Sequence, residues 1–146
     1  DADLLRRGLD CAHGLFVNEY EFELMQKHTG YSETELLAKP VFSVITLGER
    51  GVRVNSAEGD IYVPALTGLN IVDPTGVGDA FRGGFLRGYL AGLSLKTCAE
   101  MGTVTAAACI QQNGTQVHHF TWDEFVTEYR KHFDDQGELD TIGKSK

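Results

Sequence analysis

The sequence predicts an α/β fold, and three observations support this prediction. In the first half, short apolar runs typical of buried strands alternate with helical patterns. The second half is dominated by helical patterns rich in small residues, which favour close helix packing. The chain of 146 residues is 42% hydrophobic and 23% charged, which is enough apolar material for an ordinary core.

The elements of the first half follow from local sequence signals. Strands are predicted at 14–17, 41–47, 52–55, 61–63 and 70–72. Helices are predicted from the N-terminus, over about 19–28, and from Ser32 to just before Pro40. The last of these begins with the S-x-x-E spacing of a capping box. The strands at 52–55 and 61–63 are expected to pair antiparallel, after a turn at 48–51.

The second half predicts helices over 79–90, from Ser94 to Asn113-Gly114, and over 122–133. Along the first of them, small residues recur at every fourth position: Ala80, Gly84, Gly88 and Gly92. Because such a row lets another backbone approach closely, this helix is expected to pack tightly against a neighbour. Residues 134–146 show no comparable pattern and are predicted to form a flexible tail, so the folded domain is expected to be 1–133.

Composition excludes several classes of function. With 13 Lys and Arg against 21 Asp and Glu, the chain lacks the excess of cations that sequence-independent nucleic-acid binding requires. No apolar run approaches the length of about 20 residues of a membrane span, and the start is not a signal peptide. The three cysteines are an odd number without C-x-x-C spacing, which predicts a reduced, cytoplasmic protein. The opening at Asp1, directly into a helical pattern, suggests that upstream chain is missing.

The run from Asp73 to Phe81 carries the clearest chemical signal. It follows a short β-rich run and opens a helix, so Gly76, Val77 and Gly78 should present free N–H groups at a helix N-terminus. Such a terminus binds anions such as phosphate. Asp79, at the mouth of this site, suits a base that takes a proton from a hydroxyl attacking phosphorus. The alternative is a tight glycine turn followed by an acidic residue that interacts with the helix dipole.

This run closely resembles the D-T-x-G-A/V-G-D-x-F signature of the ribokinase-like sugar and nucleoside kinases, also called the phosphofructokinase B family. The match falls on Asp73, Thr75, Gly76, Gly78, Asp79 and Phe81. Pro74 stands where many members have Thr. The resemblance implies that Asp79 is the catalytic base. It also implies that Gly76, Val77 and Gly78 form the anion hole for the transferred phosphoryl group.

Asn18 and Glu21 resemble the N-x-x-E motif of the same family, placed where a strand gives way to a helix. In the family this motif is linked to the environment of Mg²⁺ and the phosphates, so the resemblance implies that role here. The same spacing also fits a capping box, with Asn18 as the N-cap and Glu21 at the third helical position. Both interpretations can hold together, since a cap need not use every lone pair.

Thr46, Gly48 and Gly51 resemble the family's T-L-G-x-x-G loop, which lines the ATP site. The alternative is a plain hairpin turn. Gly102 and Thr103 on the small-residue helix are also expected to border the nucleotide. Members often bind K⁺ beside the anion hole, and Asp73, Thr75 and Gly114 fall at the corresponding positions.

The resemblance covers the chain from the Asn18 strand to the last helix, but only the C-terminal half of the family. It implies the C-terminal portion of a ribokinase-like three-layer α/β/α sandwich, in which residues 1–133 form the ATP-binding part. The helix that opens D-A-F-R, with the N-G-T-Q turn, most resembles the adenosine-kinase branch. The expected activity of the intact protein is therefore phosphorylation of adenosine by ATP with Mg²⁺ and possible K⁺ dependence.

Two alternatives stay open at this point: a sugar kinase of the same family, acting on ribose, fructose or a related compound, and a non-catalytic nucleotide-binding fragment. Nothing in the sequence corresponds to the family's N-terminal G-G substrate motif or lid sheet. This chain alone is therefore expected to be inactive. The expected partners are ATP, a small-molecule acceptor, and a homo-oligomer copy or a missing N-terminal half.

Overall fold

The computed structural model describes residues 1–111 and 121–144, and it divides into two compact units, Asp1–Ala65 and Leu66–Lys146. The first unit contains three helices, four strands and a short 3₁₀ helix. In chain order these are α1 (Ala2–Cys11), β1 (Gly14–Asn18), α2 (Glu19–Thr29), α3 (Glu33–Leu37), β2 (Phe42–Thr46), the 3₁₀ helix Gly48–Arg50, β3 (Val52–Ser56) and β4 (Gly59–Val63).

The four strands form one sheet in the order β1-β2-β3-β4. β1 and β2 are parallel, with α2 and α3 in the connection between them, whereas β2–β3 and β3–β4 are antiparallel. The predicted hairpin and the four predicted strands of this unit are therefore confirmed, and so is the α/β class. Helices α2 and α3 begin with the capping boxes Asn18–Glu21 and Ser32–Glu35.

One core cluster of the first unit lies between helices and one face of the sheet. Val17 and Ile45 are register partners on β1 and β2, so their side chains share that face. They are buried together with residues from three helices: Leu9, Phe22 and Leu36. The alternating strand pattern and the apolar stripes of the helices thus meet in one cluster.

The second unit is helical in its described residues. It contains α4 (Val77–Leu90), α5 (Leu95–Ile110), α6 (Trp122–Tyr129) and a 3₁₀ helix at Glu138–Lys144. α4 begins two residues before the predicted position, and α6 ends at Tyr129 rather than at residue 133. The strand predicted at 70–72 is not formed. Instead, the N–H groups of Val72 and Asp73 both donate to the carbonyl oxygen of Ile110, at the end of α5.

Helices α4 and α5 pack backbone against backbone, as the row of small residues predicts. A Cβ added at Gly84 would lie 2.5 Å from Thr105 Oγ1 and 2.8 Å from the Met101 carbonyl oxygen. A Cβ at Gly88 would lie 2.9 Å from the Met101 sulfur. Gly92 has a different role, because it adopts φ +78 directly after the helix and has open space around it.

The expectation of a flexible tail after residue 133 is wrong for the described residues. Leu139 is fully buried, and it packs into a core with Met101, Val104, Phe125 and Tyr129. The Glu138 carboxylate accepts hydrogen bonds from the Ser94 N–H (2.7 Å), the Ser94 hydroxyl (2.7 Å) and the Thr97 hydroxyl (2.9 Å), which ties the segment to the start of α5. The polar composition of 134–146 conceals the apolar contacts that buried Leu139 and partly buried Ile142 make with this core.

Across residues 1–111 and 121–144, no helix combines the length and the apolar character needed to cross a membrane.

Candidate active site

The N-terminus of α4 differs from those of the other described α-helices. α1, α2, α3, α5 and α6 each have a side-chain oxygen that accepts an N–H of the first turn, from Asp1, Asn18, Ser32, Ser94 and Thr121. At α4 the N-cap is Gly76, which adopts the left-handed conformation (φ +79), and the described residues supply no capping side chain. The Val77 N–H makes a long contact of 3.4 Å with the Pro74 carbonyl oxygen. No capping side chain competes for the other N–H groups of the first turn, as an anion site requires.

Gly78 lies in this first turn, and a Cβ built on it meets nothing within 4 Å. The backbone is therefore approachable from outside at this point within its unit. Asp79 follows, with its side chain 83% exposed. Its Oδ1 accepts a hydrogen bond from Arg82 Nη1 at 3.1 Å, one turn further along α4. Asp79 is an acidic residue in the first turn, as the alternative interpretation holds, and its second carboxylate oxygen has no hydrogen bond among the described contacts.

The segment before α4 is held by its own turn. Asp73 Oδ1 accepts the N–H of Thr75 at 2.8 Å, which forms an Asx turn. The Thr75 carbonyl oxygen faces the thiol of Cys109, with Sγ at 3.7 Å. Burial and the nearby Asp73 charge raise the pKa of the Cys109 thiol, so it stays neutral and acts as a weak donor. The three residues predicted for K⁺ are not all described, because Gly114 lies outside the described residues. The K⁺ site stays a prediction.

Asn18 and Glu21 form the complete capping box of α2. The Glu21 N–H donates to Asn18 Oδ1 at 2.7 Å, and the Asn18 N–H donates to Glu21 Oε2 at 2.8 Å. The capping interpretation is confirmed. In the described part of the chain, Glu21 Oε1 carries no further hydrogen bond, and a hard cation such as Mg²⁺ prefers carboxylate and amide oxygens of this kind. These two residues therefore fit a magnesium environment, which stays a prediction.

The loop from Thr46 to Gly51 is a compact turn between β2 and β3. The Leu47 N–H donates to the Gly51 carbonyl oxygen at 2.8 Å, and the Gly51 N–H donates to the Gly48 carbonyl oxygen at 3.1 Å. Gly51 adopts φ +108, and a Cβ there would lie 2.2 Å from the Val63 carbonyl oxygen and 2.7 Å from the Ala65 nitrogen. Gly48 adopts φ +62 with open space beside it. The loop therefore has the form of a turn, and Gly48 at its start is exposed.

Gly102 and Thr103 have roles within the second unit that need no ligand. A Cβ on Gly102 would lie 2.8 Å from both the ring and the carbonyl oxygen of Phe81, so this glycine allows α4 and α5 to touch. The Thr103 hydroxyl is buried and donates to the Ala99 carbonyl oxygen at 2.9 Å. Packing accounts for both residues, and the expectation that they border the nucleotide is the one that the local geometry supports least.

Three further residues around the loop have no signal in the sequence. Arg50 Nη2 lies 2.5 Å from Glu19 Oε2, in the first turn of α2. The Tyr62 hydroxyl, on β4, donates to the Arg50 carbonyl oxygen. These partners are far apart along the chain, so only the folded register brings them together. Among residues 1–111 and 121–144, no three His, Cys, Asp or Glu side chains converge into a cluster that could hold a metal by themselves.

The pattern of the pfkB family carbohydrate kinases matches residues 1–121. The chain is similar to a nucleoside kinase of Methanocaldococcus jannaschii, with 29% identity over 130 residues that cover 89% of this chain and 43% of that protein. It is also similar to a cytidine kinase of Thermococcus kodakarensis, with 37% identity over 77% of this chain and 42% of that protein.

Among solved structures, the chain is similar to the nucleoside kinase of Burkholderia thailandensis in complex with inosine. The TM-score is 0.88 and the identity 34%, over 91% of this chain and 44% of that one. The same kinase has also been solved with ADP-inosine. This chain therefore spans less than half the length of these relatives.

Proposed function

The chain belongs to the pfkB family of carbohydrate kinases, and on that premise we propose that the protein transfers the γ-phosphoryl group of ATP to a hydroxyl of a nucleoside. The observation that carries the proposal is the N-terminus of α4, where an uncapped first turn at Gly76 is followed directly by the exposed carboxylate of Asp79. An anion site next to a base is what phosphoryl transfer to an alcohol requires.

Each residue has a defined role in the proposed reaction. The acceptor oxygen attacks the γ-phosphorus while its proton passes to Asp79, the new P–O bond forms, and the bond to the β-phosphate oxygen breaks to release ADP. The N–H groups of Gly76, Val77 and Gly78 stabilise the negative charge on the transferred group, because they are fixed before the reaction begins. Such preorganised charge stabilisation supplies most of the catalysis in phosphoryl transfer.

Thr46, Gly48 and Gly51 are proposed to contact the nucleotide, with Gly102 and Thr103 as weaker candidates. Mg²⁺, held near Asn18 and Glu21, would neutralise phosphate charge. K⁺ would take carbonyl or carboxylate oxygens of Asp73 and Thr75, with Gly114, which lies outside the described residues, as the third candidate. The stabilisation of phosphoryl charge by Gly76, Val77 and Gly78 does not depend on K⁺, because their N–H groups lie at the positive end of the α4 dipole.

The proposed acceptor is the 5′-hydroxyl of adenosine. The relatives named for nucleosides support a nucleoside over a free sugar, and the Burkholderia kinase was solved with the purine nucleoside inosine. The resemblance of the D-A-F-R helix to adenosine kinases favours adenosine among the purines.

The test is an activity assay of the intact protein that contains this chain, with ATP, Mg²⁺ and each of adenosine, inosine, cytidine, ribose and fructose. We expect kcat/KM for adenosine to be highest, and at least tenfold above the value for ribose. The highest value with inosine or cytidine would overturn adenosine but keep nucleoside kinase. The highest value with ribose or fructose would support the sugar-kinase alternative. ATP binding without transfer to any of the five would support a non-catalytic nucleotide-binding module.

For the 146-residue chain alone we propose weak binding of adenine nucleotide and no phosphorylation of adenosine. It spans less than half the length of its relatives, and phosphoryl transfer depends on holding the acceptor in line and excluding water. The measurement is AMP formation from ATP, Mg²⁺ and adenosine with the purified chain. Robust AMP formation would show that the chain contains a complete acceptor site.

A further inference from the structure

The side chain of Arg50 is tied to helix α2. Arg50 is the last residue of the 3₁₀ helix Gly48–Arg50, inside the Thr46–Gly51 loop. Its Nη2 contacts Oε2 of Glu19, the first residue of α2, at 2.5 Å. The hydrogen bond to Glu19 raises the pKa of Arg50 above its ordinary value, so the guanidinium stays charged. The contact joins a loop to a helix start from another part of the chain.

The backbone of Arg50 is held by hydrogen bonds to Tyr62 on β4 and to Leu47 within the loop. The Tyr62 hydroxyl on β4 donates to the Arg50 carbonyl oxygen, and the Arg50 N–H donates to the Leu47 carbonyl oxygen at 3.3 Å. The next residue, Gly51, lies against the backbone at the end of β4, where there is no room for a Cβ. The loop is therefore fixed to the sheet at its end. At its start, Gly48 has open space beside it. The Glu19 contact adds a restraint on the loop through the Arg50 side chain.

The same contact connects the two motifs of the first unit that the family resemblance singles out. Asn18 and Thr46 are register partners at the ends of β1 and β2, so the start of α2 and the start of the loop are adjacent. Glu19 follows Asn18 directly and precedes Glu21 by two residues. A movement of Arg50 is thereby linked to the first turn of α2, which carries the Asn18–Glu21 capping box.

We propose that Glu19 and Arg50 form a brace that holds the Thr46–Gly51 loop in the conformation that binds ATP. The role of the loop in binding ATP rests on the proposed function, whereas the brace itself rests on the contacts of Glu19, Arg50 and Tyr62. An exposed ion pair adds little to the stability of a whole domain. It can still decide the local order of a short loop, because the free energy of local opening is small there. Glu19 and Arg50 are positioning residues in this proposal, since neither is assigned a contact with the nucleotide.

The first arm of the test measures the loop itself. In the 146-residue chain, Glu19→Gln, Arg50→Gln and the double variant are compared by NMR-detected hydrogen exchange of the Arg50 and Gly51 amides. Each single variant should exchange roughly two- to fivefold faster than the parent at these amides, the range for one exposed ion pair. The double variant should match either single one, because both changes remove the same contact. Glu58→Gln, in the β3–β4 turn at the opposite end of β3 from the loop, and Arg7→Gln, on α1, alter exposed charges and should leave these amides unchanged.

The second arm measures ATP affinity and thermal stability of the same variants. We expect the Kd for ATP to rise roughly two- to fivefold in both single variants and equally in the double, with the melting temperature within about 1 °C of the parent. In the intact protein KM for ATP should rise by the same factor, while kcat and KM for the acceptor stay unchanged. A purely structural contribution would instead lower the melting temperature and change all parameters.

The outcomes separate the brace from the proposed function. Unchanged exchange at Arg50 and Gly51 in both single variants would overturn the brace. So would a loss of ATP affinity in Arg50→Gln that Glu19→Gln does not share, because Arg50 would then act on the nucleotide itself. If exchange rises as expected but neither the chain nor the intact protein binds ATP, the brace stands and the proposed function fails.

Discussion

Asn18 and Thr46 are register partners at the carboxyl ends of the parallel strands β1 and β2. Both residues begin a motif: Asn18 caps α2 and precedes Glu21, and Thr46 leads into the Gly48–Gly51 turn. In open sheets, ligands bind beyond the carboxyl ends of parallel strands, where the chain turns into helices and loops. The register of this one strand pair therefore brings two distant sequence signals to one edge of the first unit.

Gly51 is expected to be the least replaceable residue of the Thr46–Gly51 loop. In Gly51→Ala the new Cβ would lie 2.2 Å from the Val63 carbonyl oxygen, at a φ of +108 that side chains rarely adopt. We expect a loss of roughly 2–4 kcal/mol in the free energy of unfolding and a weaker affinity for ATP. Gly48→Ala is the matched control, since it shares a positive φ but has open space, and it should cost only about 1 kcal/mol. Denaturant unfolding of both variants checks this, and equal losses would show that steric contact at Gly51 is unimportant.

Because α4 and α5 approach closely, alanine substitutions at two neighbouring glycines are expected to change the free energy of unfolding in opposite directions. Gly84→Ala places a Cβ 2.8 Å from the Met101 carbonyl oxygen, so the helices must separate, at a cost of roughly 1–3 kcal/mol. Gly83→Ala meets nothing within 4 Å and should stabilise the chain by up to about 1 kcal/mol, because alanine is the better helix former. Thermal unfolding of the two variants measures the difference. Stabilisation by Gly84→Ala would contradict the packing described here.

Much of this fold is predictable from local sequence signals, because the signals and the structure depend on the same short-range physics. The strand pattern of 14–17, the capping boxes at Asn18 and Ser32, and the small-residue row of α4 all have direct structural counterparts. The failures arise where long-range contacts decide. The apolar run at 70–72 forms no strand, because its N–H groups are taken up by the end of α5. The segment after 133 is ordered by one buried leucine and a carboxylate that reaches Ser94.

In the candidate site too, some features have a local sequence signal and others depend on long-range contacts. The proposed anion site at Gly76–Gly78 has a clear sequence signal, because its glycines and Asp79 lie within four residues. The contacts of Asp79 with Arg82 and of Glu19 with Arg50 have no comparable signal, since charged residues are frequent and most lie in solvent. The burial of Gly102 and Thr103 could be found only from the packing of α5 on α4.

Gly78 is expected to matter for turnover and not for folding. In Gly78→Val the side chain enters space that is open in the second unit, so the melting temperature should stay within about 2 °C of the parent. The same side chain would cover the N–H groups of the first turn of α4, and turnover of the intact protein should fall at least about 100-fold, the value of one oxyanion-hole donor. Gly83→Val, on the same helix with equal space, is the control for helix propensity. Normal kinetics in Gly78→Val would place the anion hole elsewhere.

Asp135 is expected to make the stability of the second unit dependent on pH. Arg130 binds both carboxylate oxygens of Asp135, at 2.9 and 3.0 Å, and this contact lowers the pKa of Asp135 below its ordinary value of 3.8. A carboxyl group whose pKa is lowered by folding stabilises the folded state at pH values above its unfolded pKa. This stabilisation is lost as the pH falls through the folded pKa. Asp135→Asn should therefore cost roughly 1–2 kcal/mol at pH 7.

The difference between parent and Asp135→Asn should shrink progressively below pH 4. Urea unfolding of both proteins from pH 7 to pH 2.5 measures it. Asp134→Asn, at the neighbouring exposed carboxylate, is the control and should show a smaller difference at every pH. A difference for Asp135→Asn that stays constant over this range would show that its ionised form contributes nothing.

Asp79 is proposed as the base of a phosphoryl transfer. This role is tested by the turnover of Asp79→Asn in the intact protein with ATP, Mg²⁺ and adenosine. The substitution keeps the shape of the side chain, which is exposed, so folding should be unaffected. We expect kcat to fall by roughly 10²–10⁴, the usual contribution of general-base catalysis, while the Kd for ATP stays equal or decreases because a negative charge is removed. A kcat within a few-fold of the parent would contradict the assignment of Asp79 as the base.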